Sequence, residues 1–120
     1  MIGYVTIGTN DMARAAKFYD ALLAEFGAKR AMEMEKFICW SAGGPMVAIA
    51  KPYDGKAATV GNGVMVALAA SSKQQVDAIY KKALALGGTD EGPPGPRGDG
   101  FYAGYFRDLD GNKLNAFFIG

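Results

Sequence analysis

The sequence predicts an α+β protein built from two βαβββ halves. Three observations carry this. Apolar residues switch between period 2 and period 3.6 in the order strand, helix, three strands, and that order begins again near the middle of the chain. The length of 120 residues supplies one domain, since domains take about 100–200 residues. Half of the chain is hydrophobic and 21% is charged, a balance that builds a core rather than a disordered or fibrous chain.

The first element is the segment Ile2 to Gly8, where Tyr4 and Thr6 alternate with Val5 and Ile7 as on a strand covered on one face. Asn10 or Asp11 then offers a side-chain acceptor to the free amides of a helix start. Met12, Ala15, Tyr19, Leu22 and Phe26 recur at helical spacing until Gly27 ends the run. Ala28 to Met34, Phe37 to Ala42 and Met46 to Lys51 read as three strands, with Gly43-Gly44 turning the chain between the last two. Pro52 to Asn62 is a polar, glycine-containing connection.

The offset that carries Val5 onto Val66 also carries Tyr19 onto Tyr80, Leu23 onto Leu84, Ala24 onto Ala85 and Gly27 onto Gly88. Ser72 with Gln75 forms a capping box for a second helix, whose apolar face is Val76, Ile79, Tyr80, Ala83 and Leu84 and which closes at Gly87-Gly88. Strands follow at Phe101 to Arg107 and Lys113 to Ile119, joined by the hairpin signal Asp110-Gly111, with a shorter strand near Thr89. Glu91 to Gly100 holds four glycines and three prolines in ten residues and reads as a loop without regular structure. The chain is therefore a single domain with a module at 1–58 and a second at 61–120.

Thirteen Lys and Arg against twelve Asp and Glu leave a net charge of +1, with no basic cluster, so nucleic acid is not an expected partner. No apolar run approaches the ~20 residues that span a bilayer, so neither is a membrane. A small molecule is the expected partner. The single cysteine, Cys39, excludes an intrachain disulfide and fits a reducing compartment, and the first residues lack the charged and apolar regions of a signal peptide; the expected location is the cytoplasm. The chain has no histidine. That removes a Ser-His-Asp or Cys-His nucleophile, a His base and the commonest transition-metal ligand.

Two βαβββ halves, each with a helix carrying a bulky apolar residue followed by tyrosine (Phe18-Tyr19 and Ile79-Tyr80), resemble the vicinal oxygen chelate superfamily of glyoxalases, bleomycin-resistance proteins and extradiol dioxygenases. The resemblance covers nearly the whole chain. Its best local match is Phe106-Arg107-Asp108-Leu109-Asp110-Gly111-Asn112 and the strand after it, similar to the family's aromatic, Asp-Pro-Asp-Gly-Asn hairpin, with Leu109 in place of the proline. The resemblance implies two modules forming a curved mixed sheet around a cleft, a homodimer in which clefts are completed or shared between chains, and a divalent ion on the cleft floor. The family's ligand places fall at Tyr4, Ala48, Met65 and Asn115. A phenol, a methyl, a thioether and a carboxamide do not supply the charged oxygens, thiolates or imidazoles such an ion needs. The expectation is a degenerate metal site with no metal and no cofactor; bleomycin-resistance-type members set the precedent of a metal-free cleft that holds a drug-sized molecule.

With Tyr4 and Asn115 facing the cleft, alternation sends Thr6, Met46, Ala48, Met65, Ala67, Lys113 and Phe117 the same way, and Val5, Ile7, Val47, Ile49, Val66, Leu68, Leu114, Ala116 and Phe118 toward the helices. Met46 and Met65 equally suit a role as core fillers. Trp40 is open to three readings: cleft wall, dimer interface or core. Opposite directions allow only one of Tyr102 and Tyr105 into the cleft, and Tyr102 is assigned there. Arg97 reads as a solvated loop residue, Arg107 with Asp108 as part of the hairpin, and Cys39, without a neighbouring cation in sequence, as a buried inert thiol. Glu33, Glu35 and Lys36 mark a strand edge or turn.

The expected ligand site is thus Tyr4, Trp40, Met65, Tyr102 and Asn115, with catalytic residues unassigned. The expected function is binding of a small, largely apolar molecule. Two alternatives stand beside it. One is a lyase or dioxygenase of the same superfamily, similar to lactoylglutathione lyase, that recruits an ion through other groups or uses Tyr4 or Tyr102 as a general acid. The other is a structural or protein-interaction module with a collapsed cleft.

Overall fold

In the computed structural model, which describes Met1–Gly120, the first half contains β1 (Tyr4–Gly8), α1 (Met12–Leu23), a 3-10 turn (Ala24–Phe26), β2 (Lys29–Met34), β3 (Phe37–Ser41) and β4 (Met46–Ala50). The second repeats the order with β5 (Val66–Ala69), α2 (Lys73–Ala85), β6 (Thr89–Pro96), β7 (Phe101–Arg107) and β8 (Lys113–Ile119). Each half forms one four-stranded mixed sheet, ordered β1-β4-β3-β2 and β5-β8-β7-β6. In each, the first strand lies parallel to the last and the other pairs are antiparallel. The fold is the glyoxalase-like α+β architecture of two βαβββ units.

Local chemistry sets the helix ends. Asp11, rather than Asn10, caps α1 by accepting from the Arg14 amide at 3.0 Å, while Asn10 exchanges hydrogen bonds with the Ala58 backbone. Gly27 ends the 3-10 turn in the left-handed region, φ 73°, which glycine adopts without a Cβ penalty. At α2 the Ser72 hydroxyl accepts from Gln75 N at 3.0 Å. The reciprocal arm of the box is displaced by one residue: Gln75 Oε1 accepts from Ser71 N at 2.7 Å, and its amide donates across the halves to Glu25 O.

One sheet face and both helices share a single core. Tyr19, Leu22, Trp40 and Ile49 from the first half meet Val76, Ile79, Phe106 and Leu114 from the second. Full burial of an aliphatic side chain such as Leu22 or Ile79 contributes about 1.5–3 kcal/mol. A polar latch closes one end of the seam between halves. The buried Tyr19 hydroxyl donates to Asp108 Oδ2 at 2.5 Å, Thr9 Oγ1 donates to Asp110 Oδ2 at 2.6 Å, and Asn112 Nδ2 donates to Gly8 O at 2.9 Å. Burial, then the Asp108 charge, push the Tyr19 phenol well above the ordinary tyrosine range.

Two expectations require correction. Glu91 to Gly100 is not wholly irregular, because β6 runs through Pro96 and pairs with β7. Its prolines are accommodated because β6 is an edge strand whose register slips between Asp90 and Gly92 and again between Gly92 and Gly95. The β7–β8 connection is also longer than a two-residue turn, spanning residues 108–112. Asp108 Oδ1 accepts from the amides of Asp110 and Asn112, both at 2.9 Å, and so ties the loop.

Candidate functional site

Register partners share a sheet face, so the pairings Thr6–Ala48–Cys39–Met32 and Ala67–Asn115–Tyr105 define two equivalent rows on the faces turned away from the helices. Ala48 and Asn115 occupy corresponding places in the halves. The chemistry on the two faces differs. The first presents Tyr4, Phe37 and Met46, with Met32 and Met34 half exposed on the edge strand. Tyr4 meets Phe37 edge to face at 5.9 Å. The second presents Asn115, Lys113, Tyr105 and the stacked pair Phe101 and Phe117, 5.7 Å apart.

At the end of the seam away from the latch lies a cavity of about 540 Å³, within the range of small-molecule sites. Of its 15 lining residues, 14 are hydrophobic. Val5, Val47, Trp40, Leu23 and Phe26 form the side against the first core, and Met65 to Ala69 form the opposite wall. Ile2 and Met65, exposed at 55% and 40%, mark its opening to solvent.

The five residues singled out from sequence separate into three places. Met65 and Trp40 line the cavity. Trp40 does so from the core side, buried against Tyr19 with its indole N–H donating to Asp20 Oδ1 at 2.9 Å. The Arg30 guanidinium and that same indole hold the Asp20 carboxyl below the usual carboxylate range. Tyr4 and Asn115 lie on the open faces, outside the cavity lining. Tyr102 does not face the cleft: its hydroxyl donates to Asp77 on α2 at 2.7 Å and Lys73 of α2 sits 5.7 Å from its ring. The reason is register, because Tyr102 pairs with Phe118 on the helix-facing side, whereas Tyr105 pairs with Asn115.

Asn115 is 2% exposed, and its Oδ1 is buried without a hydrogen-bond partner. Such a group costs about 1–3 kcal/mol, so it is the one uncompensated polar side-chain atom inside the fold. Beside it, Tyr105 carries two cations near its ring: the Arg97 guanidinium at 5.5 Å and the Lys113 ammonium at 5.6 Å. Sequence reasoning missed Tyr105 and the core-side lining of the cavity.

Tyr4, Ala48, Met65 and Asn115 bring no charged donor. Nowhere in the fold do three His, Cys, Asp or Glu side chains converge in a group able to hold an ion.

The model of the Glyoxalase/Bleomycin resistance protein/Dioxygenase superfamily matches residues 1–116. Among solved structures, a glyoxalase/bleomycin resistance protein from Albidiferax ferrireducens T118 is 39% identical over 98% of this chain and 97% of its own, with a TM-score of 0.91. A lactoylglutathione lyase from Agrobacterium tumefaciens, 20% identical over 98% and 92% of the two chains with a TM-score of 0.74, shares the fold. So does TioX from Micromonospora sp. ML1, 19% identical over 100% and 99% with a TM-score of 0.71. No curated protein matches.

Proposed function

The chain belongs to the Glyoxalase/Bleomycin resistance protein/Dioxygenase superfamily, and we propose that it serves there as a binding protein for a small, largely apolar molecule, held without a metal in the cavity between its halves. The observation that supports this is the cavity itself: about 540 Å³, almost wholly apolar and open past Ile2 and Met65. Apolar surface of that extent left in contact with water is costly, and an apolar ligand removes it from solvent. The degenerate ligand set supports the metal-free part of the reading. An enzyme of the lyase type is the second reading, favoured by the shared fold of the Agrobacterium tumefaciens lyase.

Two proposals accompany it. The half-exposed Tyr4, Met32 and Met34 support a homodimer that buries the first open face against a second copy, and light scattering would then give twice 12.6 kDa. The unpaired, buried thiol of Cys39 supports a reducing, cytoplasmic location. No helix is long and apolar enough to cross a membrane.

The test uses N-phenyl-naphthylamine, an uncharged apolar fluorophore. It should bind saturably, without change on exhaustive chelation, and Ala67→Trp, which sets a large ring at the cavity wall on an exposed strand position, should abolish binding while leaving the melting temperature within a few degrees. Absence of saturable binding would defeat the binding reading. Stoichiometric zinc, nickel, iron or manganese in purified protein, required for turnover of a hemithioacetal, would establish the lyase reading instead.

A further inference from the structure

We infer that the ligand is not merely apolar but amphipathic, with its body in the cavity and a single anionic group held over Tyr105 by Lys113 and Arg97; this rests on the cavity being the ligand site.

The charges on the second open face are unspent. Arg14, Arg30 and Arg107 each lie within ion-pair distance of a carboxylate. Arg97 and Lys113 do not. Arg97 donates only to the carbonyls of Pro93 and Pro96, at 2.7 and 3.3 Å, which leaves most of its five donors free. The Lys113 ammonium makes no ion pair or hydrogen bond within the chain, and both cations instead stand 5.5–5.6 Å from the Tyr105 ring centroid. Both cations keep donors free beside the same ring, and an anion there gains charge-assisted hydrogen bonds from them.

Register connects this patch to the cavity. Ala67 lines the cavity, Asn115 lies beside Ala67 on the neighbouring strand, and Tyr105 lies beside Asn115 on the next. Strands stand about 4.8 Å apart, so the patch is about 10 Å from the cavity wall. Along that path Asn115 Oδ1, buried without a partner in the ligand-free chain, becomes an acceptor for an N–H or O–H on the segment joining body and anion once the side chains covering it move aside. The first open face carries no equivalent: Cys39 holds the place of Tyr105, and Ala48 that of Asn115.

The experiment compares dansylamino-undecanoate, whose flexible chain lets its carboxylate reach that distance from its aromatic body, with its uncharged methyl ester by fluorescence titration. The carboxylate should bind about five- to tenfold more tightly than the ester, the range expected of two partly solvated charge contacts. Lys113→Gln with Arg97→Gln should erase the difference by weakening the acid alone, Lys113→Arg should retain it, and raised salt should weaken only the acid. Equal affinities in the unaltered protein, or a preference that survives the double substitution, would overturn the anionic assignment, while the ester's displacement by N-phenyl-naphthylamine would leave the cavity reading standing. If neither dansyl compound binds, the cavity reading falls together with this inference.

Discussion

Replacing Asn115 by leucine should make this protein more stable and a poorer binder at once. The side chain is 2% exposed and its Oδ1 has no partner, so folding strips water from an acceptor and gives nothing back, a cost of about 1–3 kcal/mol. Leucine keeps the branched shape and lacks the polar group, while its extra bulk between Ala67 and Tyr105 on the neighbouring strands offsets part of the gain. The expected gain is about 1–2 kcal/mol, which for a chain of this length raises Tm by roughly 3–8 °C. Urea denaturation should show a higher midpoint with an unchanged slope, the signature of stability altered without a change in the surface exposed. The same variant should bind dansylamino-undecanoate about three- to tenfold less tightly, because the acceptor along the ligand's path is gone. A loss of 1 kcal/mol or more at constant slope would mean that Oδ1 has a partner in the folded chain, and would refute the reasoning; a gain in stability with full affinity would remove Asn115 from the ligand's path.

Two further substitutions probe the frame around the site. Tyr19→Phe deletes a buried donor to a carboxylate and should cost about 1.5–3 kcal/mol in denaturant melts. Because the folded phenol is held above its ordinary value near pH 10, its contribution is complete below pH 10 and is lost as pH rises beyond it; the alkaline fall in Tm should be shallower in Tyr19→Phe, and equal slopes would count against the buried phenol as its source. Gly88→Ala places a Cβ 2.7 Å from Arg107 O and 2.8 Å from Ala83 O, both backbone atoms that cannot move aside cheaply, and should cost about 1–3 kcal/mol; an unchanged Tm would show that the α2–β6 junction yields.

The repeat made the fold legible because each half writes the same periodicities and stop signals, and the helix-facing residues Val5, Ile7, Val66, Leu68 and Leu114 are apolar without exception. The start of β6 near Thr89 was legible, but its extension to Pro96 was hidden because proline and glycine report local backbone preference, whereas an edge strand with two register slips is set by its neighbour. Tyr102 was misplaced although the information was present. A loop closing at residues 108–112 sets Arg107 opposite Lys113, and counting outward sets Tyr105 opposite Asn115 and Tyr102 opposite Phe118, a residue already expected to face the helices. Of the cavity, only Trp40 and Met65 were legible. Leu23, Phe26 and Val47 carry ordinary core signals, and only the way two sheets diverge along a seam distinguishes a lined hollow from a filled core.

That seam also explains how a duplicated backbone acquires a direction. The latch of Thr9, Tyr19, Asp108, Asp110 and Asn112 draws hydrogen bonds from both halves at one end, fixing the angle between sheets where nothing apolar could do so with equal geometric precision. At the other end the Gln75 amide donates to Glu25 O beside the cavity-lining Phe26, and the sheets part around the cavity. Two identical halves would offer a ligand two equivalent orientations across such a gap. Here divergence has removed the degeneracy: the first sheet presents thioethers and aromatic rings, while the second presents a buried carboxamide and two unpaired cations around Tyr105. An amphipathic molecule distinguishes these faces because reversal would set its charge beside Met32, Met46 and Phe37, which offer it neither a cation nor a hydrogen-bond donor.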